Sequence, residues 1–139
     1  MRTRKNVRRL ILGLGVIVTT AAGAADFDGS AALSCTGVSG YSCDSDKACS
    51  KVKPESKAAP VVLIDPLNKT VKTPYRTDLL PIANSATNNE QLQFQGTSAK
   101  FAWSAIVNRN TGKVTITIAD RVGAYVIFGE CKVAEAAHQ

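Results

Sequence analysis

The sequence predicts an all-β protein: an antiparallel meander of about six to eight strands forming a small barrel or sandwich, preceded by a helical signal peptide. Three observations carry that prediction. Apolar and polar residues alternate along the C-terminal third, turn-forming residues punctuate the chain at short intervals, and no helical period of useful length appears after residue 25.

The chain divides into residues 1–25, read as the signal peptide, and residues 26–139, read as a single disulfide-stapled β domain. Arg2, Arg4, Lys5, Arg8 and Arg9 precede an uncharged stretch from Leu10 to Ala25, a basic region followed by an apolar one. Small residues close it: Ala22 and Ala24 fit cleavage after Ala24, and Gly23 and Ala25 fit cleavage after Ala25. A membrane anchor is disfavoured, because the stretch holds Gly13, Gly15, Thr19 and Thr20 and falls short of the about 20 apolar residues a spanning helix needs. The expected location is therefore periplasmic or secreted, with no stable membrane insertion after cleavage.

Removing the segment changes the meaning of the charge. Seventeen basic residues less the five in the segment leave twelve, against eleven acidic residues that all follow Ala25. The basicity that would point to a nucleic-acid partner belongs to the signal, so none is expected.

Four cysteines, Cys35, Cys43, Cys49 and Cys131, read as two disulfides in an oxidising compartment, with three connectivities open. Zinc is disfavoured because no C-x2-C pair is present. The favoured pairing is Cys35 with Cys131, tying the termini together across the sheet edge, and Cys43 with Cys49, closing a short loop. A redox pair would show C-x-x-C.

Along the domain, the stretch from Ala31 to Cys43 reads as a strand interrupted at Gly37 and Gly40, where a bend or bulge is expected. Residues 44–60, rich in lysine, read as a solvated loop. Val61 to Ile64 is a buried strand between prolines, and Thr70 to Thr73 pairs with it across a turn at Pro66, Leu67 and Asn68. The stretch from Asp78 to Asn89 is ambiguous and leans to strand. Leu92 and Phe94 alternate with glutamines, as a half-buried strand requires. Phe101, Trp103, Ala105 and Val107 then face a core opposite Val114, Ile116 and Ile118, across a turn from Arg109 to Gly112. In the last strand Ala124, Val126 and Phe128 alternate with Tyr125 and Ile127, which implies burial on both faces or closure against another sheet.

The chemistry-bearing residues exclude more than they assign. His138, the only histidine, sits one residue from the C-terminus, where a frayed chain cannot hold an imidazole for a Ser/His/Asp mechanism. None of the carboxylates lies in a context that predicts a raised pKa, and no phosphate-binding glycine loop is present. Asp44 and Asp46 lack the glycine and glutamate that complete a calcium loop. Catalytic residues, cofactor and metal are accordingly each read as none. Trp103 and Phe101 read as core rather than as a ligand platform. Asn68, Lys69 and Thr70 form a glycosylation sequon, discounted because the signal has a bacterial character.

The run FAWSAIVNRNTGKVTITI, followed by IFGECK, resembles the tail of small uncharacterised proteins exported by proteobacteria, and Cys35, Thr36 and Gly37 match the start of their mature regions. The resemblance implies a β fold and export and transfers no activity or site. The Cys43 to Cys49 loop departs from it.

Two function classes remain. The first is a non-catalytic binding module of the bacterial envelope, contacting another envelope or secreted protein. The second is an inhibitor of an extracellular or periplasmic hydrolase, presenting the tied loop to a cleft. The expected contact surface comprises Tyr41 and Tyr75, which sit in loop-like surroundings, Arg76 beside Tyr75, and Asp44, Asp46 and Lys47 of the Cys43 to Cys49 loop.

Overall fold

The computed structural model describes residues 27–52 and 61–135. The expected signal segment, the stretch from 53 to 60 and His138 lie outside the described residues. The rest is all β. Its strands are β1 (Leu33–Asp44), β2 (Ser50–Val52), β3 (Val61–Asp65), β4 (Thr70–Lys72), β5 (Leu80–Pro81), β6 (Asn84–Thr87), β7 (Gln91–Thr97), β8 (Ala102–Asn108), β9 (Lys113–Ala119) and β10 (Gly123–Val133). They form one ten-stranded sheet in the order β5-β4-β3-β1-β10-β9-β8-β7-β6, with β2 on β1 and every pair antiparallel.

The sheet curls into a half-barrel. Its outer strands, β5 and β6, are separated in sequence only by Ile82 and Ala83. Successive amides of an extended chain point to opposite sides. Ile82 accordingly donates its N–H to the Lys69 carbonyl beside β4 (2.9 Å), while Ala83 donates to the Gln95 carbonyl of β7 (2.8 Å). One short segment thus draws the two edges of the sheet together. Close approach there requires Gly96, since a Cβ at that position would strike the Pro81 carbonyl oxygen and the Trp103 indole.

The alternation that predicted the strands decides which side chains face the concave core. Trp103, Ala105 and Val107 of β8 meet Phe94 and Leu92 of β7 and Val114 of β9, with Ile116 and Ile118 packed against them. The β8–β9 turn closes where Asn108 Oδ1 accepts the N–H groups of Asn110 and Thr111 (3.0 and 2.9 Å) and Gly112 takes a positive φ of 69°. Phe27 plugs the core beside Gly112, and its carbonyl accepts a hydrogen bond from Arg109 Nε (2.9 Å).

In β1 the interruption expected at the glycines is a bulge: the register with β10 slips between Gly37 and Ser39, leaving Val38 unpaired and exposed. The bulge inverts the phase of the strand. Cys35 and Gly37 share the concave face with their partners Cys131 and Gly129, but beyond the bulge Gly40 takes that face beside Ile127 and Tyr41 turns outward beside Val126.

Three expectations are corrected. Among the described residues the sheet has ten strands rather than six to eight, because β2, β5 and β6 span only three, two and four residues and are too short to show a period. No second layer covers the outer face among the described residues: Phe128 is 42% exposed, so the consecutive apolar residues of β10 do not mark burial on both faces. Cys35 and Cys131 are directly paired in the β1–β10 ladder, at the centre of the sheet rather than across its edge.

The disulfides are Cys35–Cys131, with Cα atoms 3.9 Å apart, and Cys43–Cys49, which ties the β1–β2 connection. They indicate an oxidising, non-cytoplasmic environment. No helix among the described residues is long and apolar enough to cross a membrane.

Candidate functional site: a hollow in the half-barrel

The concave face is filled unevenly. Leu33, Cys35, Ile64, Leu92 and Val107 are almost wholly buried. Elsewhere on the same face the core opens into two adjoining hollows. One, of about 500 Å³, lies along β1, β10 and β9; the other, of about 310 Å³, lies against β3, β4 and β8. They share Val62, Tyr75, Ile116, Ile118 and Ile127, so they form a continuous apolar space. These volumes fall in the range of small-molecule sites.

The space has a local sequence cause. Three inward positions of the β1–β10 ladder are Gly37, Gly40 and Gly129, which line the larger hollow with backbone instead of side chains. The isoleucines of β9 and β10 stand opposite that gap. Phe101 and Trp103 line the smaller hollow, so the two aromatics read as core also form part of its wall.

Among the described residues, Arg76 is the one charged side chain lining either hollow. Its guanidinium lies 5.8 Å from the centre of the Phe101 ring, a cation–π distance. It donates from Nε and Nη2 to the two carboxylate oxygens of Asp78, at 2.9 and 2.7 Å. Those hydrogen bonds hold the Asp78 carboxyl below the usual carboxylate range and raise the Arg76 pKa further. Tyr75 is 69% exposed and lines both hollows, which places it at their rim.

The six expected contact residues therefore fall into two groups. Tyr75 and Arg76 follow β4 and lie at the hollow. Tyr41 and Asp44 lie within strand β1 rather than in a loop, paired with Val126 and Gly123 of β10, while Asp46 and Lys47 sit in the turn that follows; none of the four lines either hollow. Residues 45–49 carry the turn closed by the Cys43–Cys49 disulfide.

Sequence reasoning assigned Ile116, Ile118, Ile127 and Val62 to strands without assigning them to a site. An apolar side chain on an inward face reads the same whether it meets another side chain or an open space. The available signal was the set of glycines at inward positions on β1 and β10.

Trp103 Nε1 is buried with no hydrogen-bond partner among the described residues. That nitrogen lies against Gly96 and is itself closed to solvent, so it is not presented to a ligand in the hollow. Compared with protein-family models, curated proteins and solved structures, the chain matches none.

Proposed function

We propose that this protein is an exported, non-catalytic binding protein of the bacterial envelope that holds an apolar small molecule in the hollow of its half-barrel. The observation that carries the reading is the continuous space of about 500 and 310 Å³ walled by aliphatic and aromatic side chains. Water gains little from such a lining, which offers few hydrogen-bond partners, whereas an apolar ligand buries its own surface there at about 25 cal/mol per Å². Export to the periplasm or the medium fits the disulfides and the basic-then-apolar N-terminus.

The test is titration of the oxidised mature protein with N-phenyl-1-naphthylamine, a neutral fluorophore that brightens in apolar surroundings. Saturable binding is expected, and it should be lost in Val62→Phe, where a ring enters the space shared by both hollows. An unchanged circular-dichroism spectrum would show that the variant folds. Binding unaffected by Val62→Phe would place the fluorophore elsewhere and refute the reading.

A second reading, inhibition of an envelope or extracellular hydrolase, is favoured by one feature. The Cys43–Cys49 loop is exposed along its length and covalently tied, which lowers the entropy lost on entering a cleft. It predicts inhibition of a hydrolase panel that disappears in Lys47→Ala or Tyr41→Ala. Inhibition unchanged in both variants would dismiss the loop.

A further inference from the structure

We infer that the hollow is built for an amphiphile with a single apolar chain and a carboxylate head, and that Asp78 occupies the head's place on Arg76 when no ligand is bound. The inference rests on the proposed binding role of the hollow and names its ligand class.

Among the described residues, Arg76 is the single charged group on the lining, and it is a cation. A wholly apolar ligand would make no use of it. An amphiphile would set its chain against Val62, Ile116, Ile118 and Ile127 and its head against the guanidinium. The cation–π contact with Phe101 and the two hydrogen bonds to Asp78 keep the direction of its donors defined.

The head's geometry is already displayed by Asp78. Nε and Nη2 engage both oxygens of that carboxylate side by side, the bidentate arrangement in which an arginine fork matches a planar carboxylate. Asp78 is a weak incumbent. Its side chain is 58% exposed and that of Arg76 is 35% exposed, and exposed ion pairs contribute little because water competes for both charges. An entering carboxylate replaces one bidentate pair with another, while the apolar chain buries surface that Asp78 cannot. Exchange is then driven by the tail, and the head selects among tails of equal length.

Decanoate and 1-decanol, used below the concentrations at which they aggregate, separate head from chain. Each would be titrated against the oxidised mature protein preloaded with N-phenyl-1-naphthylamine, in wild type, Arg76→Gln and Asp78→Asn. Both compounds should displace the fluorophore from wild type, decanoate several-fold more tightly, since its pair with Arg76 is covered by the bound chain whereas the exposed Asp78 pair it replaces contributes little. Arg76→Gln should abolish the preference by weakening decanoate alone. Asp78→Asn, which removes the competing charge, should strengthen decanoate several-fold and leave 1-decanol unchanged. Equal displacement by the two compounds in wild type would overturn the carboxylate assignment while leaving an apolar site in place. Displacement by neither would overturn the hollow as a binding site, and the ligand class with it.

Discussion

The concave face of the half-barrel contains two regions made from the same kinds of residue and filled to different degrees. Around Leu33, Leu92 and Val107 the side chains are buried to within 1% of full coverage, and Phe27 is folded in beside them. Around Val62, Ile116, Ile118 and Ile127 the same face borders open space. Composition does not separate them, since both are aliphatic. The difference lies in what stands across from each residue: a large side chain in the packed region, and the backbone of Gly37, Gly40 and Gly129 in the hollow. The packed region stabilises the fold, and the hollow leaves a volume the fold itself does not use.

The largest expected effect comes from the staple shared by both regions. Cys35–Cys131 links strands 96 residues apart in sequence, whereas Cys43–Cys49 closes a separation of only 6. On chain-entropy grounds the double variant Cys35→Ser/Cys131→Ser should lose about 4–5 kcal/mol of stability and Cys43→Ser/Cys49→Ser about 2 kcal/mol. Urea midpoints of the two variants measure the gap, and a reversed order would show that strain or residual structure governs instead.

Truncation separates the regions next. Leu92→Ala should cost about 3–5 kcal/mol, because its neighbours cannot collapse into the cavity it leaves. Ile118→Ala should cost about 1–2 kcal/mol, since one side of Ile118 already lacks partner atoms. Equal losses in chemical denaturation would erase the distinction between packed and open.

Enlargement should keep that order of tolerance. Val107→Phe is expected to destabilise by about 1–3 kcal/mol through overpacking. Val62→Phe, beside open space, should change thermal stability little while abolishing fluorophore binding. A large loss of stability in Val62→Phe would mean that the hollow has no room for added atoms.

The smallest effect concerns neither region but the β3–β4 turn. Hydrogen bonds from the backbone and then the side chain of Asn68 hold the Asp65 carboxyl below the usual carboxylate range. A group whose folded pKa is depressed contributes stability that is fully present above its unfolded value and is lost as pH falls through the folded one. Stability should therefore decline slightly between neutral pH and about pH 3, and Asp65→Asn should lessen that decline. An identical pH profile in the variant would remove Asp65 from the account.

How far the sequence was legible follows from the same contrast. The β8–β9 hairpin was readable residue by residue, because Trp103, Ala105 and Val107 and their partners on β9 alternate over seven-residue strands about a turn. The β5–β6 corner was not, since Asn84–Thr87 is exposed throughout and its strand character comes from pairing with β7. Tyr41 and Lys47 were readable as exposed, and Tyr75 and Arg76 as a surface pair. That the latter two stand over an apolar space was hidden, because the space results from the curl of the sheet and the β1 bulge. Pattern along one strand shows which face a side chain takes; it does not show what fills the far side.

The most direct test is a methyl NMR titration of the oxidised β domain, residues 26–139, with N-phenyl-1-naphthylamine. Shifts should concentrate on Val62, Ile116, Ile118 and Ile127, with Leu33, Leu92 and Val107 nearly still. Shifts confined to residues outside the hollow, or none at saturating fluorophore, would contradict the hollow as the binding site.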